Sequence, residues 1–172
     1  MESYALLFAS MLNAGTVLAI ASLGLLINEK AGVVNLGAEG LLLCSAIAGF
    51  AVVVHTGSDW IGFLAGMGAG AVLAAIFGVL VIWLNTNQYA TGLALALFGA
   101  GFSAFVGAGY VQAKLPERPH FSIPVLGDIP LIGPALFRQH PLVYVTIALA
   151  FGLIWFLYRT RAGLVLRSVG ES

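Results

Sequence analysis

Charged side chains are scarce in this sequence. Lys, Arg, Asp and Glu make up 8% of its 172 residues, whereas 60% of the residues are hydrophobic. Water-soluble domains carry about 25% charged residues, so the chain has about threefold fewer of the groups that cover a water-facing surface. This shortage excludes a soluble globular domain and predicts that the apolar excess contacts lipid.

The distribution of charge strengthens that interpretation. Between Asp59 and Lys114 there is no Lys, Arg, Asp or Glu at all. A helix needs roughly 20 apolar residues to cross a hydrocarbon core of about 30 Å. This uncharged stretch is long enough to cross a membrane twice.

The sequence also has little of what enzymes and metal sites require. Cys44 is the only cysteine, which excludes an internal disulfide and a site with several thiolates. His55, His120 and His140 lie far apart and lack metal-binding helical spacing. No Gly-rich phosphate loop is present, and the formal net charge is zero. We therefore expect no catalytic residue, metal, cofactor or nucleic-acid partner in this chain.

Five apolar runs predict an all-α, polytopic bundle of about five transmembrane helices. They cover residues 4–27, 36–54, 60–84, 89–111 and 142–158. The connection at 112–139 contains five of the six prolines. Because proline removes a backbone donor and fixes φ, this segment is predicted to be a loop outside the membrane rather than a helix.

Basic residues near the predicted helix ends indicate an orientation. Arg159, Arg161 and Arg167 follow the last span, and Lys30 follows the first. The positive-inside rule places these ends in the cytoplasm, and five spans then put the N-terminus outside. Basic residues in the loop at 112–139 count against this orientation.

Small residues recur every fourth position in the third span, on one helical face. They are Gly62, Gly66, Gly70, Ala74 and Gly78. Close backbone approach through such faces holds membrane helices together. We predict helix packing through the four glycines of this set.

A polar segment precedes the second span. If the helix has begun by Asn35, then Asn35 and Glu39 lie one turn apart on one face. A charged residue at a membrane boundary is either functional or stabilised by the positive end of the helix dipole. Both interpretations of Glu39 are open from the sequence.

The basic segment after the last span is either a lipid anchor or a helix that binds a partner protein. Leu164, Val165 and Val169 share a face of a short predicted helix, flanked by arginines. Taken alone, such a segment is typical of an anchor that binds anionic lipid headgroups.

Four motifs together resemble permease subunits of bacterial ABC importers for nucleosides and simple sugars. The run EKAGVVNLGAEG at 29–40 is similar to a signature that follows the first span of that family. NQYATGLAL at 87–95 resembles a second signature, and DIPLIGP at 128–134 resembles an external loop. YRTRAGL at 158–164, followed by RSVGE at 167–171, resembles the start of the cytoplasmic segment that couples to the ATPase.

The resemblance implies partners and roles. Expected partners are an ABC ATPase subunit, a second and non-identical permease, an external substrate-binding lipoprotein and the lipid of the bacterial cytoplasmic membrane. The ATPase coupling residues are expected to be Arg161, Gly163, Arg167, Gly170 and Glu171. Candidates for the solute pathway are Asn35, Glu39, Asn87 and Gln88.

The resemblance also implies a larger fold. In the family the coupling motif continues beyond the Gly-Glu pair, so residues 159–172 are expected to be a truncated coupling segment. The chain is then the N-terminal part of an ABC permease. Two other functions remain open: a small secondary transporter or channel that uses Glu39, and a non-functional remnant or assembly factor.

Overall fold

The computed structural model describes residues 2–115, 139 and 141–171, and these residues form helices and no strand. The helices are α1 (Glu2–Lys30), α2 (Ala38–Thr56), α3 (Asp59–Gly78), α4 (Gln88–Gly107), α5 (Pro141–Arg159) and α6 (Arg161–Gly170). The predicted all-α class is confirmed.

Within the described residues, five helical segments are long and apolar enough to cross a membrane. They are Leu7–Lys30, Ala38–Thr56, Asp59–Trp83, Gln88–Tyr110 and Pro141–Arg159. A helix pairs its own backbone donors and acceptors, and this is required in lipid because lipid offers them no hydrogen-bond partners. The predicted number of spans is confirmed, and the protein is multi-pass. Most of the predicted external loop at 112–139 lies outside the described residues and stays a prediction.

The chain forms two compact units. The first unit comprises Met1–Gly32 and Arg118–Ser172 and contains α1, α5 and α6. The second unit comprises Val33–Glu117 and contains α2, α3 and α4.

In the second unit, α2 runs antiparallel to α3. Gly49 of α2 lies against Gly62, and Ser45 lies against both Gly66 and Gly70. As the α2 numbers fall, the α3 numbers rise, which sets the antiparallel direction. The absence of side chains at the glycines lets the two backbones approach closely.

α2 runs parallel to α4, and glycine again forms the contact. A Cβ atom on Gly40 would overlap the Leu95 carbonyl oxygen, and one on Gly99 would overlap the backbone of Gly40. At the other end of α2, His55 Nε2 is 3.0 Å from the hydroxyl of Tyr110, which lies in the 3₁₀ turn Ala108–Tyr110 that follows α4. The N-terminal ends of α2 and α4 therefore lie at the same end of the second unit.

The helix widens after α3, before the chain enters the polar turn at 85–87. Val79–Trp83 is π-helical, and the Leu84 amide donates to the Val79 carbonyl oxygen over 3.1 Å. Thr86 then donates to the Leu80 carbonyl oxygen from both its amide, at 3.1 Å, and its hydroxyl, at 2.8 Å. These bonds satisfy carbonyl groups that a helix end otherwise leaves without partners.

Candidate functional site

α6 begins immediately after α5 because Thr160 joins the two helices. The Thr160 hydroxyl donates to the Phe156 carbonyl oxygen over 2.6 Å and accepts from the Gly163 amide over 3.0 Å. A Cβ atom on Gly163 would overlap the Phe156 carbonyl oxygen. The missing side chain thus allows the first turn of α6 to fold against the last turn of α5.

The other end of α6 meets the end of α1. A Cβ atom on Gly170 would overlap the Lys30 carbonyl oxygen and lie 2.8 Å from the Gly32 nitrogen. A Cβ atom on Gly32 would in turn lie 3.1 Å from the Gly170 Cα. Gly32 has a φ of 78°, a left-handed conformation that glycine adopts without steric cost. Two glycines therefore form a contact of backbone on backbone.

Arg167 lies between these two contacts and packs on an aromatic ring. Its guanidinium carbon is 4.8 Å from the centre of the Tyr158 ring. Its Nε atom is buried and has no hydrogen-bond partner among the residues that the structure describes. Cation–π attraction of this kind is worth about 0.5–1 kcal/mol where the ring is exposed. The contact places the Arg167 guanidinium against the end of α5.

Apolar side chains occupy the outward face of α6. Leu164 is 62% exposed, Val165 58% and Val169 62%. Arg161 and Glu171 are also exposed, at the two ends of the helix. α6 therefore presents an apolar strip with a basic group at one end and an acidic group at the other.

The structure brings together two of the predicted pathway residues, Asn35 and Gln88. Gln88 Oε1 accepts from the Val34 amide over 3.1 Å. Asn35, which is 9% exposed, accepts the Gly37 amide at its Oδ1 over 2.9 Å. Both side chains hold the backbone of the turn that precedes α2.

The predicted shared helix face of Asn35 and Glu39 is wrong. α2 begins at Ala38, after Asn35. The Asn35 side chain binds the Gly37 amide, which offers the backbone an alternative to helix at this point. Glu39 lies in the first turn of α2 with an exposed side chain, where the helix dipole favours negative charge.

Asn87, the fourth predicted pathway residue, is the N-cap of α4. Its Oδ1 accepts the amides of Tyr89 and Ala90 over 2.9 and 3.2 Å. An asparagine in this position satisfies donors that the first helical turn leaves free. The asparagine and glutamine oxygens of the pathway set are thus engaged with backbone amides.

Three of the four predicted packing glycines face α2. Gly62 and Gly66 are buried against it, and a Cβ atom on Gly70 would lie 2.6 Å from Ser45 Oγ. Gly78 differs, because a Cβ atom there would meet nothing within 4 Å. The contact with α2 does not extend to Gly78 among the described residues, so its role in packing stays a prediction.

A groove of about 580 Å³ lies between α1 and α5. Ten residues line it, and all are apolar or glycine. Nucleosides and sugars need placed hydrogen-bonding groups for recognition, and this lining has no polar side chain to supply them. Taken by itself, this lining offers no side-chain hydrogen bond to such a solute.

Sequence reasoning missed several residues that carry this arrangement. Thr160 precedes the predicted coupling helix and has the residue type of an N-cap, which was an available signal. The contact of Arg167 with Tyr158 and that of His55 with Tyr110 had no signal in a single sequence. Among the residues that the structure describes, no cluster of His, Cys, Asp and Glu could hold a metal ion.

Comparison with known proteins matches the sequence to a family model. Residues 7–172 match the family described as branched-chain amino acid transport system / permease component. No solved structure matches the chain.

Three curated relatives match nearly the whole chain. A Haloferax volcanii protein, provisionally named as a glucose ABC transporter permease, is 42% identical over 96% of this chain and 51% of its own length. A Bacillus subtilis guanosine ABC transporter permease is 36% identical over 90% of this chain and 52% of its own length. A Lactococcus lactis nucleoside ABC transporter permease is 30% identical over 97% of this chain and 56% of its own length. The chain spans about half the length of the curated relatives it matches.

Proposed function

The chain belongs to the branched-chain amino acid transport system / permease component family, as its motifs predicted, and on that premise we propose that it is a membrane permease subunit of an ATP-driven importer. It works in the cytoplasmic membrane and catalyses no covalent reaction itself. ATP hydrolysis takes place on a separate ATPase subunit, and an external binding protein delivers the solute.

The solute is a nucleoside or a simple sugar. Support comes from the relatives, whose names specify glucose, guanosine and nucleosides. A second and non-identical permease subunit completes the translocation pathway. Residues 112–139 form an external loop in this proposal, and residues 159–172 form the start of the cytoplasmic coupling segment.

The structure of α6 is the observation that carries the proposal. A short helix directly after the last span is held at both ends by glycine contacts while Leu164 and Val165 point outward. A helix that inserts into an apolar groove of a partner displays this division between an inner and an outer face. Arg161 and Glu171, exposed at opposite ends, give the contact a direction.

The structure favours this coupling role over the secondary-transporter alternative. Glu39, the residue on which that alternative depends, is exposed in the first turn of α2, where the helix dipole accounts for its charge. The polar groups beside it are engaged with backbone. These contacts give Asn35 and Glu39 local structural roles that need no proton or ion site.

The test is uptake by cells that express this chain with an ABC ATPase, a second permease and a binding protein from the same genome. We expect uptake of radiolabelled guanosine or radiolabelled glucose that stops when the Walker lysine of the ATPase is replaced. Uptake that persists without the ATPase and follows the proton gradient would support a secondary transporter instead.

A substitution on α6 tests the coupling surface. Val165→Glu should remove co-purification of the ATPase, because it places a charge where an apolar contact is required. Membrane insertion should be unchanged, since the side chain lies outside the spans. Val165→Leu keeps an apolar surface and serves as the matched control. Normal ATPase recruitment by the Val165→Glu variant would contradict the role of α6.

A further inference from the structure

The contact between α6 and α1 points to a role for Gly170 beyond docking. We infer that Gly170 is a positioning residue that ties the end of α6 to the end of α1, so that a displacement of α6 reaches α1 as well as α5. The inference rests on the proposed function for the partner that would displace α6. The contact itself is independent of that partner.

At Gly170 the two helices meet backbone to backbone, with no side chain between the contacting atoms. The Lys30 carbonyl oxygen and the Gly32 nitrogen occupy the space that a Gly170 side chain would need. From the other side, the Gly170 Cα fills the space beside Gly32. A side chain at such a contact could change rotamer and absorb a shift, whereas close-packed backbone transmits strain.

α6 is held at two separate places. Gly163 rests on the last turn of α5, and Gly170 rests on the last turn of α1, about two helical turns further on. The exposed side chains Leu164 and Val165 lie between them. A force on this outward face therefore divides between two membrane-spanning helices.

Glycine is required on each side of this contact for a different reason. Gly170 has a negative-φ helical position, so only space excludes a larger residue there. Gly32 has a φ of 78° and also faces Gly170 closely. Asparagine tolerates a left-handed conformation and adds a side chain, so Gly32→Asn disturbs the contact from the α1 side.

A spin label tests the contact in the chain alone. Replacing Cys44 by serine leaves a chain without cysteine. A nitroxide on Glu29→Cys, an exposed position near the end of α1, then reports on that end in lipid nanodiscs. We expect higher label mobility with Gly170→Ala and a smaller increase with Gly32→Asn. Gly15→Ala, which adds a methyl group in open space on α1, should leave the spectrum unchanged.

Transport by the assembled complex tests the transmission. Gly170→Ala should still recruit the ATPase, because the outward face of α6 is intact. Uptake driven by ATP should fall about tenfold, within the range of typical couplings between distant sites. Val165→Glu should instead lose the ATPase itself, and Gly15→Ala should transport like wild type.

Each arm can overturn the inference. An unchanged label spectrum in Gly170→Ala and Gly32→Asn would show that α6 does not bear on α1. Wild-type uptake by Gly170→Ala would show that the contact transmits nothing, and loss of ATPase recruitment would show that Gly170 acts in docking. Absence of ATP-driven uptake by the wild type would remove the proposed function, and the label spectra would still decide the contact.

Discussion

The turn before α2 and the helix α6 both carry family motifs, but their side chains are used differently. In the turn, Asn35 and Gln88 direct their oxygens to backbone amides of the same unit. In α6, glycines face inward and Leu164 and Val165 face outward. The first motif is closed on its own unit, whereas the second leaves an apolar surface for another molecule.

This difference distinguishes a motif that is needed for local structure from a motif that binds a partner. Polar residues at a membrane boundary suggest a solute pathway, but the same residues are needed where a turn must satisfy its own backbone. Apolar residues outside a span have no such local use. In this protein the apolar residues of α6 are the better indication of a partner.

Replacing Gly66 by leucine should have the largest effect of these substitutions, because it forces a bulky side chain into the contact between α3 and α2. A Cβ atom there would lie 2.9 Å from the Ser45 carbonyl oxygen. Overpacking against backbone should lower the free energy of unfolding by about 3 kcal/mol. Thermal unfolding in detergent measures the loss.

Gly78→Leu is the matched control for this substitution. It makes the same change in the same span, where a Cβ atom meets open space. We expect wild-type stability. Equal unfolding temperatures for the two variants would show that α3 does not pack on α2 through this face.

The sequence predicted much of the fold because the membrane leaves few choices. Long apolar runs must form helices in lipid, so their number and approximate positions followed from composition. The start of α2 did not, because Asn35 competes for the Gly37 amide. Gly78 continues the four-residue spacing of small residues on α3. Spacing in one helix, however, does not predict how far the contact with the neighbouring helix extends. Contacts such as that between Gly170 and Lys30 join residues far apart in sequence, and nothing local predicts them.

Replacing Gln88 by leucine should have an intermediate effect. It tests whether the Gln88 side chain stabilises the turn or contacts the solute. It removes the oxygen that accepts the Val34 amide. We expect a loss of about 1 kcal/mol in the free energy of unfolding, the usual value of one hydrogen bond. Solute preference should be unchanged, since the side chain serves the backbone.

Gln88→Glu retains an acceptor oxygen and should recover most of the stability. Competition uptake assays with nucleosides and sugars provide the second measurement. If Gln88→Leu had wild-type stability and an altered solute preference, Gln88 would belong to the solute pathway. The contrast between this turn and α6 would then be wrong.

Replacing Thr160 by alanine should have the smallest effect, and it tests α6 on its own. The hydroxyl both accepts from the Gly163 amide and donates to the Phe156 carbonyl oxygen, so alanine removes two bonds at the junction of α5 and α6. Loss of an N-cap costs about 0.5 kcal/mol at the low end of its range, and the glycine contacts at both ends of α6 hold the helix in place. The global unfolding temperature should therefore hardly change, while hydrogen exchange at the amides of Gly163 and Leu164 becomes faster. Thr160→Ser retains the hydroxyl and should exchange like wild type. Faster exchange along the whole of α6 would mean that the cap, rather than Gly163 and Gly170, determines whether the helix stays folded against α5 and α1.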